Sequence, residues 1–305
     1  MEGLNAMSLL NEKQKEQIKL NNKKRFVEFS DGIILPALGQ GTWYMGEGLQ
    51  DENKEVNALK LGVELGMTLI DTAEMYGNGG AELVVGKAIK GIRDKVFLVS
   101  KVYPHNSGLR NISSACENSL RRLGTDNLDL YLLHWRGNVP LEETIEGMEK
   151  LKKEGKILRW GVSNFDTKDM KQLWNCAGGQ GCATNQVLYH LGSRGIDFDL
   201  LPWQIEHNMP IMAYCPIAKG GNLRKELLED SIIKVIAKNH NVNPLQIILA
   251  WSIHSGNVIS IPKAVQEEHV IENARVASIT LSEKELIKLD SSFPKPRKKM
   301  SLDIL

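Results

Sequence analysis

Four ionisable side chains stand at or just beyond the ends of short apolar runs: Asp71 and Tyr76 in IDTAEMYG, Lys101 in LVSKVYP and His134 in YLLHW. Asp71, Lys101 and His134 are 30 and 33 residues apart, about one strand–helix unit each. Singly, each has an ordinary reading: a helix cap, a loop hydroxyl, a lysine snorkelling to water, a core histidine bonded to backbone. At consecutive strand ends of a barrel they would converge on one rim, because catalytic groups in such folds project from the carboxyl ends of the strands. A phenol, an ammonium, a carboxylate and an imidazole together suit the delivery of a proton to the alkoxide that forms when a carbonyl accepts hydride. A free phenol, with a pKa of ~10, is a weak acid for that purpose, and burial weakens it further. An ammonium at ~4 Å stabilises the tyrosinate by about 4 kcal/mol at an effective dielectric of ~20. The expectation is that Lys101 outweighs the desolvation of Tyr76. Asp71 then keeps Lys101 charged and oriented, and His134 hydrogen-bonds the substrate oxygen.

These residues need a scaffold, and the chain alternates apolar runs with amphipathic ones from residue 25 onward. Phe26-Val-Glu-Phe and Ile33-Ile-Leu, separated by Ser30-Asp-Gly32, predict a short β-hairpin. Buried strands are expected at Leu38–Trp43, Met67–Ile70, Val96–Ser100, Leu128–Leu133, Leu158–Val162, Ala183–Val187, Ile211–Tyr214 and Val258–Ile261. Eight is the number a closed parallel barrel requires. Between them, Val56, Leu59 and Val63 share a helical face ahead of Gly66; Leu109, Ile112, Cys116, Leu120 and Leu123 do so ahead of Gly124. Pro140 and Asn243-Pro244 sit at helix starts, Ser282-x-x-Glu285 is a capping box, and a further helix is expected between Ile261 and Thr280. The competing fold, a doubly wound open sheet, lacks its GxGxxG fingerprint after an early strand. The expected fold is therefore an α/β (β/α)₈ TIM barrel at 25–305, one domain, with a polar, flexible, partly helical extension at 1–24.

Composition narrows the functional classes. The 305 residues are 42% hydrophobic and 25% charged, with a formal net charge of +1, which gives no reason to expect nucleic acid or an anionic membrane as partner. Cys116, Cys176, Cys182 and Cys215 show no metal-ligand spacing, so no metal is expected and reduced thiols are. No secretory or transit character marks the first 24 residues, and cytoplasm is the expected location.

In their contexts, Asp71, Tyr76, Lys101 and His134 resemble the catalytic tetrad of the aldo-keto reductase superfamily. The likeness spans roughly residues 25–295 and includes GQGTW, GKILRWGVSNF, TNQVLYH, MAYCPIA and IPKA…EHVIEN. GQGTWYMGEG, HLGSRGIDFDLLPW and SLDIL are most similar to bacterial members described as methylglyoxal reductases. The resemblance implies reduction of a small aldehyde or ketone, 2-oxoaldehydes of the methylglyoxal kind among them, by a monomer or weak homodimer using NADPH, with NADH as the alternative. It implies that Ser163, Asn164 and Gln186 bond the nicotinamide carboxamide and that Tyr214 stacks on the nicotinamide. Gly41, Thr42, Trp43 and Asp71 lie along the cofactor, with Cys215, Pro216, Ile217, Ile261 and Pro262 beside it. The resemblance further implies that Lys263 meets the 2′-phosphate and that Ala264, His269, Glu272 and Asn273 surround the adenosine end. Many relatives carry arginine where His269 stands and serine where Ala264 stands. A neutral imidazole lacks the fixed charge and fork of arginine, so a weaker grip on the phosphate is expected. Trp43, Tyr103 and Trp135 are the expected walls of the substrate pocket.

Two other classes share parts of this pattern. Potassium-channel β-subunits have the fold and tetrad but act mainly as partners of a membrane protein. A barrel aldolase would use Lys101 as a Schiff-base nucleophile, which leaves Ser163, Asn164, Gln186 and Tyr214 without a role.

Overall fold

The computed structural model describes residues 9–305. Strands β1 (Phe26–Glu28) and β2 (Ile34–Pro36) pair antiparallel as the expected hairpin. Gly32, at φ 83°, takes the turn between them in a conformation that disfavours a Cβ. The parallel strands follow: β3 (Gln40–Gly41), β4 (Leu69–Asp71), β5 (Phe97–Val102), β6 (Leu130–Leu133), β7 (Trp160–Ser163), β8 (Cys182–Leu188), β9 (Ile211–Tyr214) and β10 (Val258–Ser260). They are hydrogen-bonded in chain order. Leu38 bridges Ser260 in parallel, with Gly39 N donating to Ser260 O and Ser260 N donating to Ala37 O, each at 2.8 Å. These bonds join the first strand to the last, and the (β/α)₈ barrel is the architecture observed.

β4 to β8 are buried along their whole length, as strands covered on both faces must be. β5 shows the consequence of side-chain alternation. Lys101 turns into the barrel, while Ser100 turns outward and donates to the buried Glu82 at 2.6 Å. The first strand is shorter than expected because the chain turns immediately after Gly41. A Cβ at Gly41 would sit 2.8 Å from Ile261 O, so glycine permits the close approach of the first and last strand ends. The expected start of β7 at Leu158 also falls outside the strand, and Leu158 is half exposed.

Helix signals in the sequence match their structural caps. Asn243 and Ser282 form capping boxes on Pro244–Ser252 and Glu283–Ser292, and Gly124 closes Ile112–Leu123 at φ 64°. Leu109 precedes that helix and does not join its buried face. The helix expected before Thr280 is Glu267–Arg275. The helix Gly80–Ile89 gave no periodic signal, because Ala81, Glu82, Val84, Val85, Ala88 and Ile89 are all buried and it has no wide polar face.

The N-terminal extension is partly helical and mostly exposed, as expected, and it is attached to the barrel. Glu12–Lys24 is one helix with an Asn11 capping box, and it docks on the barrel through the buried Ile18 and Asn22. Asn22 Nδ2 donates to Ile18 O, Leu65 O and Ala274 O at 3.1, 3.1 and 2.9 Å. Its polar composition describes the exposed faces, and the buried Ile18 and Asn22, with the Lys15–Glu64 ion pair at 3.0 Å, attach it. The part of the expected extension at residues 1–8 lies outside the described residues. Among the described residues no helix is long and apolar enough to cross a membrane, and no group of three or more His, Cys, Asp or Glu could hold a metal ion.

Candidate active site

The tetrad residues come together at the carboxyl ends of three neighbouring strands. Asp71 ends β4, Lys101 lies near the end of β5, His134 follows β6, and Tyr76 opens the turn beyond β4. Lys101 Nζ donates to Asp71 Oδ2 at 2.7 Å, Thr72 O at 2.8 Å and Tyr76 Oη at 3.2 Å. All three donors of the ammonium are thus directed. Gln186 Nε2, from β8, donates to the other Asp71 oxygen at 2.7 Å, so both carboxylate oxygens are held. The ring of His134 meets the Tyr76 ring edge-on at 5.6 Å, which places phenol and imidazole side by side.

Burial governs the charge states. Asp71 is pushed up by desolvation and pulled back by Lys101; Lys101 is pushed down by desolvation and pulled back by Asp71. His134 is lowered to about 2, first by burial and then by the charge of Lys101, so it is a neutral imidazole. Its Nδ1 is buried without a hydrogen-bond partner among the described residues. Tyr76 departs from the sequence expectation. Desolvation and the negative charge of Asp71 raise it well above its ordinary value. The physical cause is burial first, since a tyrosinate loses its hydration there, and the negative charge of Asp71 second. Tyr76 therefore keeps its proton in the resting site.

The tetrad opens into a cavity of about 280 Å³. Asp71, Tyr76 and His134 line it together with Gly41, Thr42, Trp43, Ser163, Asn164, Gln186, Tyr214, Cys215, Pro216, Ile217, Ile261, Pro262 and Lys263. Much of the cofactor set inferred from the sequence thus faces one space. Ser163 Oγ donates to Gln186 O at 2.8 Å, and Asn164, at φ 59°, gives Nδ2 to His134 O at 3.2 Å. Tyr214 Oη donates to Asn164 Oδ1 at 2.9 Å. Gln186, with Nε2 committed to Asp71, leaves Oε1 as an acceptor in the cavity that the flat ring of Tyr214 also lines, a set that fits an aromatic carboxamide.

Other expected residues lie outside this cavity. Ala264 precedes the helix Glu267–Arg275, which carries the exposed His269 and the half-buried Glu272 and Asn273 beyond Lys263. Trp135 lines a separate cleft with Pro104 and His105. Tyr103 stacks on His105 at 4.9 Å and meets Trp135 edge-on at 5.8 Å. Of the three expected substrate walls, only Trp43 lines the cavity. The sequence reading missed Tyr44, Met75, Ala218, Lys219, Arg224 and Leu305, which do line it. Lys219 Nζ lies 4.6 Å from the centre of the Trp43 ring, a cation–π contact across the cavity mouth. A basic residue beside the glycines of KGGNLR was the one available signal for it.

The model of the aldo/keto reductase family matches residues 37–293. The chain belongs to that family. This aldo/keto reductase is 56% identical over 283 residues to the methylglyoxal reductase YeaE of Escherichia coli (strain K12), with 93% of this chain and all of the relative covered. It is 34% identical to a glyoxal reductase of Bacillus subtilis (strain 168), covering 88% and 92% of the two chains. Its structure superposes with a TM-score of 0.90 on an aldo/keto reductase from Klebsiella pneumoniae in complex with NADP and acetate, at 55% identity, covering 92% and 99%.

Proposed function

We propose that the protein reduces small aldehydes and ketones to alcohols with NADPH, and that methylglyoxal is among its substrates. The observation that carries the reading is the buried chain in which Gln186 holds Asp71, Asp71 holds Lys101, and Lys101 donates to Tyr76 Oη. NADPH, when bound, supplies the hydride. His134, a neutral imidazole that lines the cavity, binds the substrate oxygen and fixes the carbonyl. Tyr76 gives its phenolic proton to the developing alkoxide, and Lys101 stabilises the tyrosinate left behind. Ser163, Asn164, Gln186 and Tyr214 would hold the nicotinamide end, and Lys263 would meet the 2′-phosphate, with Ala264, His269, Glu272 and Asn273 beyond it. Trp43 excludes water from the reacting carbonyl, whereas Tyr103 and Trp135 support the neighbouring loop.

The related reductases of Escherichia coli and Bacillus subtilis support a 2-oxoaldehyde substrate through their names. All four cysteines are unpaired thiols, which suits a reducing compartment such as the cytoplasm. Turnover of NADPH with methylglyoxal, followed at the near-ultraviolet absorbance of the reduced cofactor, tests the reading directly. Tyr76→Phe is expected to bind NADPH as the parent does and to lose most reduction. Retained turnover would show that another group delivers the proton.

A further inference from the structure

Tyr76 belongs to no strand, yet its hydroxyl is held 3.2 Å from a lysine that does. The pairing of β4 with β5 runs on past Asp71: Thr72 N donates to Val99 O at 2.9 Å, and Glu74 N donates to Lys101 O at 3.3 Å. The second bond is long for an amide–carbonyl pair, so the ladder loosens two residues before Tyr76. There the half-buried side chain of Glu74 crosses to the extension of β5. Its Oε1 accepts the Tyr103 N–H at 2.6 Å and the Asn106 amide at 3.2 Å. A contact of 2.6 Å to a carboxylate is of the short, strong kind.

The peptide group between Val102 and Tyr103 donates that N–H to Glu74 and, through Val102 O, accepts the N–H of His134 at 3.0 Å. One planar unit therefore joins the turn that carries Tyr76 to the residue whose ring meets it edge-on. Glu74 itself does not line the cavity. Any effect it has on the reaction passes through the residues it holds.

We propose that Glu74 is a positioning residue for the reduction: its carboxylate, bonded to the Val102–Tyr103 peptide, keeps the Tyr76 hydroxyl in register with Lys101 and His134. The proposal takes its purpose from the carbonyl-reductase reading, and the tie can be measured apart from turnover. Two conservative variants separate reach from charge. Glu74→Asp keeps the charge and draws the oxygens back by one methylene, whereas Glu74→Gln keeps an Oε1 acceptor at full reach. With methylglyoxal at saturating NADPH, kcat of Glu74→Asp is expected to fall about 10–100-fold, as for a reacting group misplaced by up to ~1 Å. Glu74→Gln is expected to stay within about fivefold of the parent, the difference between a charged and a neutral acceptor. Both should bind NADPH as the parent does, measured by cofactor fluorescence. The solvent deuterium isotope effect on kcat should rise in Glu74→Asp, because proton delivery from a displaced phenol slows relative to the other steps. Glu74→Asp at the parental kcat, or Glu74→Gln as impaired as Glu74→Asp, overturns the proposal, as does a loss confined to KM for NADPH. Hydrogen exchange at the Tyr103 amide reads the tie without chemistry: slow in the parent and in Glu74→Gln, fast in Glu74→Asp. Fast exchange in the parent overturns the tie, whereas slow exchange in an enzyme that never oxidises NADPH would instead sink the reductase reading.

Discussion

Replacing Lys101 with methionine removes one charge from the centre of the site while keeping most of the side-chain volume. The ammonium lies 3.2 Å from Tyr76 Oη, and at an effective dielectric of ~20 that distance is worth about 5 kcal/mol to a full tyrosinate. Full expression of that energy in the transition state would be a rate factor of roughly 4,000. Asp71 opposes part of the field and the proton is only partly transferred at the barrier, so a loss in kcat of about 10²–10⁴ is expected. The single variant also strands a buried carboxylate, a defect that commonly costs ~3–5 kcal/mol of stability. Lys101→Met with Asp71→Asn removes that defect and separates folding from chemistry. The assay is single-turnover oxidation of bound NADPH by methylglyoxal, with thermal melts and cofactor fluorescence on the same samples. A folded double variant that binds NADPH and turns over within tenfold of the parent would refute the electrostatic role given to Lys101.

Other perturbations follow from the same geometry. Lys263→Ala should raise KM for NADPH far more than for NADH, measured in parallel titrations; equal effects would remove the 2′-phosphate assignment. His134 titrates at about 2 in the folded chain and at ~6.5 when unfolded, so below ~6.5 the unfolded chain takes up a proton that the native one refuses. Stability should therefore fall as pH drops from ~6.5 towards 2, by up to ~1.4 kcal/mol per unit from this group, and His134→Asn should flatten that slope in urea melts. A parent whose stability is level across this window would contradict a buried neutral imidazole. Asn22→Ala leaves Leu65 O and Ala274 O without their donor and should cost about 1–3 kcal/mol in thermal unfolding. Its kcat at saturating NADPH should be unchanged; an unchanged melting temperature would show that the amide does not fasten the helix.

The barrel was legible because its strands are nearly continuous apolar runs, and the tetrad because each member closes or follows one. The charge balance among them was not legible. Distances decide whether Lys101 or Asp71 dominates at Tyr76, and spacing in sequence carries no distances. Tyr103 and Trp135 were placed in the pocket because they follow strands on the correct rim; they pair with each other outside its lining, Tyr103 also with His105 and Trp135 also with His134 at 5.0 Å. Lys219 and Arg224 reach the cavity from a segment where Cys215 and Ala218 take positive φ, a path that no periodicity encodes. The helix Gly80–Ile89 escaped because burial on nearly all sides removes the amphipathic signature.

Asn22 ties the first helix to Ala274 O, near the end of the helix Glu267–Arg275. That helix also carries His269, Glu272 and Asn273, the side chains assigned to the adenosine end of the cofactor. In the proposed cofactor arrangement, the helix Glu12–Lys24 is therefore a brace beneath a nucleotide grip. Trimming it should loosen the hold on dinucleotide before it disturbs the reacting centre, so that an enzyme shortened at its beginning would ask for more NADPH and then work at its usual pace.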